Sequence, residues 1–285
     1  MKRFGYLPDA TRYDASTFTI EPRPEFNDVT KHIAGHAAGG KWFYPPLDDA
    51  KLSLPTERFQ LPCTHVLVFK SGVQAEELER FVITFFGWLK GLHLVQEGWG
   101  HLYRVAVKCG QLTDFNCHNQ IVTRAIELAQ SFWTQHQADG AAKSLFGALH
   151  WYLFSHSYTH IFERFLMQYM VMDALYRTHS ILSGERCAKH AQRVEFMASK
   201  LDLALPSWGQ VTRNGCEISR MRNELVHESK FAGEPIGLAV TSTESRILLG
   251  LEAFNCRAIA AIVGAHGPYS HSSAETMQPH GFDLD

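Results

Sequence analysis

The chain has 285 residues, of which 45% are hydrophobic and 12% aromatic, and its formal net charge is -2. This composition predicts a globular protein with enough apolar side chains for one large domain or two modest ones. The near-neutral charge excludes a protein that coats nucleic acid through bulk electrostatics, so any RNA contact must be a local patch.

Neither a targeting signal nor a membrane segment is evident. Met1–Asp9 lack the apolar core of a signal peptide, and no run of about 18 apolar residues could span a bilayer. We therefore expect a cytoplasmic protein. The cysteines form no Cys-x2-Cys pair, which argues against a zinc knuckle and a disulfide framework, and we expect them to be reduced packing residues. They are Cys63, Cys109, Cys117, Cys187, Cys216 and Cys256.

Residues 1–72 are rich in proline, glycine and aromatic side chains, which predicts a β- and loop-rich region. Strand-like runs occur at Ser16–Glu21 and His65–Lys70. No motif indicates what this region does.

Residues 73–114 are interpreted as a bridge between two halves of the chain. A helix is predicted from Val73–Gln74 onward, and Gly98–Gly100 then precede a predicted strand, His101–Lys108. The apolar residues that predict the helix follow spacings of three and four: Leu78, Phe81, Val82, Phe85, Leu89 and Leu92.

Residues 115–265 are almost wholly helical in pattern, and five helices this close in sequence predict a bundle. The fold class is therefore α+β, mainly α. Residues 266–285 lack periodicity and are predicted to be a disordered tail. The five predicted helices are Asn119–Gln137, Lys143–Ile181, Gly184–Leu203, Gly209–Ser229 and Thr243–Val263.

The second predicted helix, Lys143–Ile181, has two distinct faces. One carries His156, His160 and Glu163 at i, i+4 and i+7, a spacing that can seat a divalent metal. With 16 histidines in the chain such pairs are expected by chance, so a solvated face is favoured and a metal-binding helical enzyme is a distant alternative. The other face is an aromatic seam expected to form core or dimer contacts: Tyr158, Phe162, Phe165, Tyr169, Met172 and Tyr176.

The best candidate for chemistry is the segment Ile218–Lys230, in which Arg222 and Asn223 precede His227 by about one helical turn. Imidazole can act as an acid or a base near neutral pH, and a guanidinium can hold a phosphate through a planar pair of donors. An asparagine between them can bind either the imidazole or a phosphate oxygen.

Further cations are expected near this segment. On one continuous helix, Arg213 and Arg220 would share a stripe with His227, because the three are seven residues apart. Arg213, Arg220 and Lys230 are therefore predicted RNA-backbone contacts. On the far side of the same helix, an apolar stripe would face the core: Val211, Ile218 and Leu225.

In this context the run Arg222-Asn223-Glu224-Leu225-Val226-His227 resembles the motif of the HEPN superfamily, which is Arg, a polar residue, a few residues, then His. The resemblance spans about residues 115–265 and includes Phe162-Glu163-Arg164-Phe165 and Met172-Asp173-Ala174-Leu175. The layout, a β-containing N-terminal part before a helical bundle, is similar to bacterial proteins with an Apea-like HEPN domain, which are often linked to phage defence.

This resemblance implies a homodimer in which the motif helices of two protomers form one composite, metal-independent RNA-cleaving site without a cofactor. Arg222, Asn223 and His227 would be the catalytic residues. The expected function is an endoribonuclease, for example a defence or toxin effector. Many members of the superfamily are non-catalytic, so a silent RNA- or nucleotide-binding or dimerisation module is the alternative. Any regulatory nucleotide or protein partner is unidentified.

A purely structural interpretation is also open. A histidine in a last helical turn interacts well with the helix dipole, and Glu224 or Glu228 can pair with an arginine. The same two carboxylates would weaken attraction for phosphate.

Overall fold

The protein is described by a computed structural model, which covers residues 1–43, 61–72, 75–97, 104–238, 242–265, 267–273, 280–282 and 284. It divides into two compact units, Met1–Thr134 and Gln135–Asp285. The structure is 54% helical with small sheets, which confirms a mixed, mainly helical fold class. Within the covered ranges, no helix is both long and apolar enough to cross a bilayer.

The first unit is built on a five-stranded antiparallel sheet. Residues 65, 67 and 69 of its middle strand are buried and alternate with half-buried residues, so one face of the sheet is covered. In the order β2-β3-β5-β1-β6, the strands are β1 (Lys2–Gly5), β2 (Tyr13–Asp14), β3 (Phe18–Pro22), β5 (His65–Phe69) and β6 (Val95–Gln96).

The helix predicted from the apolar spacing is α2 (Glu76–Lys90), and all six residues that predicted it are buried. Its Phe86 ring meets the rings of Phe4 and Tyr13 edge-on, which anchors the helix on the sheet. Because α2 packs within the first unit, the segment 73–114 is not a separate bridge. Residues 73 and 74, where the helix was predicted to begin, lie outside the described ranges.

The helix predicted at Asn119–Gln137 is α3 (Asn119–His136). Its Trp133 ring lies 4.9 Å from the ring of Phe81 on α2. Residues 119–134 therefore belong to the first unit and not to the predicted bundle. Sequence patterns located the helix correctly but did not show which core it covers, because an amphipathic stripe does not identify its partner.

The predicted strand-like runs near residues 16 and 65 are confirmed as β3 and β5, but the N-terminal region also contains a helix that was not predicted. The strand predicted at His101–Lys108 ends at Ala106, and its first residues, like Gly98–Gly100 before it, lie outside the described ranges. The remaining elements of this unit are α1 (Phe26–His36), the antiparallel pair β4 (Lys41–Phe43) and β7 (Arg104–Ala106), and β8 (Phe115–Asn116).

The second unit is helical, and its central helix, α5, packs against α4, α6, α7 and α8. Two 3-10 turns, at residues 190–192 and 207–209, precede α6 and α7. The elements are α4 (Ala141–Ser155), α5 (Ile161–Ser183), α6 (Arg193–Lys200), α7 (Glu217–Glu228), the antiparallel pair β9 (Lys230–Phe231) and β10 (Glu234–Pro235), α8 (Ser242–Ile262), α9 (Pro268–His271) and β11 (His280–Gly281).

The single long helix predicted over residues 143–181 is wrong, because the chain turns between α4 and α5. His156 caps the end of α4, and His160 precedes α5, where its backbone N–H donates to the Glu163 carboxylate at 3.4 Å. His156, His160 and Glu163 therefore do not share one helix face. No group of three metal-binding side chains occurs among the residues that the structure covers. Tyr158 of the aromatic seam also lies in this turn.

The tail predicted to be disordered is ordered at residues 268–271. Tyr269 of α9 is buried, and the Arg257 guanidinium of α8 lies over its ring at 4.7 Å. Arg257 also donates to the backbone oxygen of Ser272 at 2.9 Å. The aromatic ring and the buried cation supply contacts that a periodicity search over so short a segment does not detect.

We expect the first unit to lose stability as the pH falls from about 6.5 to 4. Burial lowers the pKa of His65 to about 4, so the fold favours the neutral ring, and this stability is present above the unfolded pKa of about 6.5 and lost below it. The loss is about 3 kcal/mol, from about 1.4 kcal/mol per pKa unit. Urea unfolding at several pH values measures it.

The matched variant is His65→Phe, which keeps a ring between Phe4 and Phe26 but cannot titrate. Its unfolding free energy should depend less on pH over the same interval. An equal slope in the two proteins would show that another group controls the acid response.

Candidate functional site

The motif segment forms α7, and its burial pattern follows from the apolar spacing. Ile218, Met221 and Leu225 are buried, at i, i+3 and i+7, and hold one face of the helix against the unit. Glu217, an acidic residue, lies in the first turn, and His227, a basic residue, lies in the last turn, which is the order that the helix dipole favours. The opposite face remains open to solvent, and His227 and Asn223 are exposed.

The helix begins at Glu217 and not at Gly209 as predicted. Thr212 and Gly215 pair through their backbones, and Gly215 has a φ of +90°, which forms a tight turn before the helix. Arg213 and Val211 therefore lie outside α7, and neither belongs to the predicted stripes. Arg213 is exposed in this turn.

The structure brings the three predicted catalytic residues together. Arg222 Nη1 donates to Asn223 Oδ1 at 3.1 Å and lies 3.3 Å from His227 Nε2. Because a guanidinium only donates, Nε2 accepts, and the proton of the neutral ring is on Nδ1. The side chains thus form one contiguous polar cluster on the exposed face of α7.

The predicted RNA-contacting cations behave differently from Arg222. Arg220 pairs with Glu224 at 2.7 Å, and Lys230 pairs with Glu228 at 3.0 Å. Among the described residues, no carboxylate lies within 4.0 Å of the Arg222 guanidinium. The motif arginine is therefore the cation of α7 that keeps its charge available for an anion.

The chain after α7 folds into a hairpin that occupies one of the flanking carboxylates. Ala232 and Gly233 both have positive φ, as a two-residue turn between β9 and β10 requires. Glu224 accepts a hydrogen bond from the Gly233 backbone N–H at 3.1 Å and also binds Arg220. The Glu224 carboxylate thus binds both the hairpin and Arg220. These contacts reduce the repulsion that it would exert on a bound phosphate.

A second polar cluster adjoins the motif and was not predicted. The hydroxyl of Tyr169, on α5, lies 3.0 Å from His190 Nδ1 and 3.3 Å from Ser219 Oγ, on α7. His190 Nε2 lies 3.4 Å from Asp173, which also accepts from Arg193 at 2.7 Å.

The charges of this cluster follow from its surroundings. Burial raises the pKa of Tyr169 to about 12, although the Ser219 hydrogen bond and the Arg222 charge act in the opposite direction. Burial also acts to raise the pKa of Asp173, but His190 and Arg193 hold it below its ordinary value. At neutral pH the cluster therefore contains a neutral phenol and a carboxylate.

Sequence reasoning assigned Tyr169 only to the packing seam and did not consider His190 or Ser219 for chemistry. The i, i+4 spacing of Tyr169 and Asp173 places both on one face of α5, which is the signal that the sequence carries. Their partners are 17 to 50 residues away, and only the packing of α7 and the turn at residues 190–192 against α5 brings them together.

Comparisons of this chain with family models, with curated proteins and with solved structures gave no match. The function is therefore inferred from the geometry of the site and from the resemblance of its motif.

Proposed function

We propose that the protein is a metal-independent endoribonuclease of the HEPN type, which cleaves RNA by attack of its own 2'-hydroxyl. The observation that supports this most is the contact of 3.3 Å between Arg222 and the exposed His227. Transesterification of RNA needs a base near the 2'-oxygen and positive charge at the non-bridging oxygens. The imidazole and the guanidinium are groups of these two kinds.

In this proposal the bound phosphate competes with His227 for the Arg222 guanidinium. A charged, bidentate bond to phosphate is stronger than a single bond to a neutral ring nitrogen, so the arginine turns to the phosphate. Nε2 of His227 is then free to take the proton of the 2'-hydroxyl. While Arg222 turns to the phosphate, Asn223 would form a hydrogen bond with the guanidinium or with a phosphate oxygen.

We further propose that two protomers pair through α7, as the resemblance implies. His227 is exposed, and Val226, beside it, is 46% exposed, so a second copy can reach this face. Pairing would cover the exposed valine and place two motif clusters together. A cytoplasmic effector that restrains growth, for example in phage defence, is the biological role we propose for such an activity.

The first test is incubation of the purified, untagged protein with single-stranded RNA in EDTA. We expect cleavage that leaves a 2',3'-cyclic phosphate on the upstream fragment, because the internal nucleophile forms the ring. The matched substrate with 2'-deoxyribose at the cleaved position should remain intact. Mass spectrometry of the fragments identifies the ends, and sedimentation of the same sample gives the oligomeric state.

Two results would contradict the proposal: cleavage that requires added metal, or equal cleavage of the deoxy-substituted strand. Each would indicate that an external nucleophile, such as a metal-activated water, attacks the phosphate.

The second candidate function is a catalytically silent module that binds RNA or a nucleotide. The ion pairs Arg220–Glu224 and Lys230–Glu228 favour it, because they neutralise cations that a nuclease would use to hold the RNA backbone. A silent module would bind RNA without cutting it, and cells that overproduce it would grow normally.

A further inference from the structure

The second polar cluster forms a continuous chain of hydrogen-bonding groups that ends beside the motif. These groups run from Asp173 to the exposed His190, then to the hydroxyl of the buried Tyr169 and to Ser219. The Tyr169 and His190 rings are stacked, with centroids 5.6 Å apart. Each neighbouring pair of polar atoms is separated by 3.0 to 3.4 Å.

The donors and acceptors of this chain are compatible in direction. In the neutral ring, Nε2–H of His190 donates to Asp173, and Nδ1 accepts from the Tyr169 hydroxyl. The Tyr169 oxygen can then accept from Ser219, whose own oxygen accepts from the Cys216 thiol at 3.1 Å. When His190 carries a second proton, the two hydroxyls can turn, so that His190 donates to Tyr169 and Tyr169 donates to Ser219.

The other end of this series, the half-buried Ser219, lies on the motif helix. Ser219 is three residues before Arg222 and four before Asn223, so these side chains are neighbours on the surface of α7. Three residues correspond to about 4.5 Å along the helix axis. The Arg222 charge also acts on the Tyr169 hydroxyl, which places the two clusters within electrostatic reach.

A nuclease of the proposed type needs an acid as well as a base, because the 5'-oxygen leaves as an alkoxide unless it is protonated. In the motif, Arg222 does not deprotonate and Asn223 does not titrate, so His227 is the only acid or base that the motif of one protomer supplies. A paired protomer would add a second His227, but within one protomer the acid must come from outside the motif.

On the basis of the proposed function, we infer that Ser219 is the general acid for the 5'-leaving group, and that Tyr169 and His190, oriented by Asp173, resupply its proton. Ser219 is the catalytic residue of the four, because only it would touch the substrate. Tyr169, His190 and Asp173 are positioning residues that act through it.

The protons balance along this path. His227 removes the proton of the 2'-hydroxyl, the 2'-oxygen bonds to phosphorus, and the bond from phosphorus to the 5'-oxygen breaks. The leaving oxygen takes the Ser219 proton, which is replaced from Tyr169, and Tyr169 is replenished from His190. His190 therefore begins the step doubly protonated and ends it neutral. Solvent restores the proton, since His190 is exposed.

The charged groups around His190 are consistent with this role. Asp173 faces Nε2 and stabilises positive charge on the ring. Arg193 binds the other oxygen of the same carboxylate, and its own positive charge reduces that stabilisation. Tyr169 faces Nδ1 from α5 and remains a neutral phenol.

The test compares protein variants on two RNAs that differ only in the leaving group. An RNA is made with a single 5'-sulfur at the linkage that wild type cuts, because a thiolate leaves without needing a proton. We expect Ser219→Ala, Tyr169→Phe and His190→Gln to slow cleavage of the ordinary RNA by about 100-fold. Each variant should cut the 5'-thio RNA within about threefold of the wild-type rate. His227→Ala should be slow on both, because it lacks the base.

Matched controls separate this effect from damage to the fold. Tyr176→Phe removes a buried hydroxyl that accepts from the Cys187 N–H, two turns along the same helix, and His271→Gln removes a histidine paired with Asp202. Both should cleave the two RNAs as wild type does. Melting temperatures of all six variants establish that they are folded.

Equal losses on the two RNAs would mean that the cluster only supports the motif, and full activity on the ordinary RNA would mean that it has no part in the reaction. Either result overturns the inference while leaving the proposed function intact. A wild-type protein that cuts neither RNA would instead remove the proposed function, and the inference with it.

Discussion

Replacing His227 with alanine is expected to lower the rate of RNA cleavage by about 10³-fold, the usual contribution of a positioned acid or base. Arg222→Ala should lower it by about 10² to 10³-fold, since the guanidinium stabilises charge that develops in the transition state. A factor of 10³ corresponds to about 4 kcal/mol of transition-state stabilisation. Single-turnover cleavage of a labelled RNA in EDTA measures both effects in the chemical step.

The matched control is Arg220→Ala, on the same helix two residues before Arg222. Arg220 is already paired with Glu224 at 2.7 Å and lies 4.0 Å from Glu217, so its charge is largely compensated. We expect its removal to weaken RNA binding and to change the cleavage step by less than about tenfold. If Arg220→Ala and Arg222→Ala were equally harmful, surface charge and not the motif geometry would explain the loss.

The largest expected effect on stability is in the first unit, at the buried ion pair of Lys90 and Asp9. Lys90 Nζ lies 2.6 Å from Asp9 and 3.0 Å from the Tyr13 hydroxyl, and its side chain is 9% exposed. Lys90→Met would leave the carboxylate buried without its cation, which typically costs about 3 to 5 kcal/mol. Urea unfolding measures the loss, and hydrogen exchange of α2 locates it in this unit.

The pH dependence of this pair has a definite sign. Burial acts to raise the pKa of Asp9, but hydrogen bonds from Lys90, Thr11 and Tyr13 outweigh it and lower the pKa below its ordinary value. The stability from this group is therefore present above pH about 4 and is lost as the pH falls below that value. The difference in unfolding free energy between wild type and Lys90→Met should become smaller as the pH falls over the same range.

Arg12→Met is the control for this experiment. Arg12 pairs with Asp14 and Glu21 at distances of 3.6 to 3.7 Å, and its side chain is 60% exposed. Exposed pairs are screened by water, so the variant should unfold at the wild-type urea concentration. A loss equal to that of Lys90→Met would show that burial is not what makes the Lys90 pair important.

The accuracy of the sequence-based predictions depended on the type of signal. The apolar spacing of α2 located that helix to within three residues, because apolar residues repeat on one face from Leu78 to Leu89. The turn between α4 and α5 was missed, because residues 156–160 contain no proline or glycine and Tyr158 continues the aromatic spacing through them. The turn at Thr212–Gly215 was also missed, so α7 was extended to include Arg213.

The candidate site divides in the same way. Arg222, Asn223 and His227 lie within six residues, and one helix suffices to bring them together, so their contact could be predicted. The partners of Tyr169 could not be predicted, since Ser219 and His190 approach it from separate segments. The commitment of Glu224 to the hairpin likewise depends on the left-handed turn at Ala232 and Gly233.

The amino-acid sequence by itself determined the mainly helical class, the buried face of α7 and the composition of the motif, because these depend on residue type and on spacing along one helix. The tertiary structure alone decided which core α3 joins, which cations keep an unpaired charge and which polar groups adjoin the motif. These depend on contacts between residues distant in sequence, and such contacts arise only when whole elements pack to bury their apolar faces.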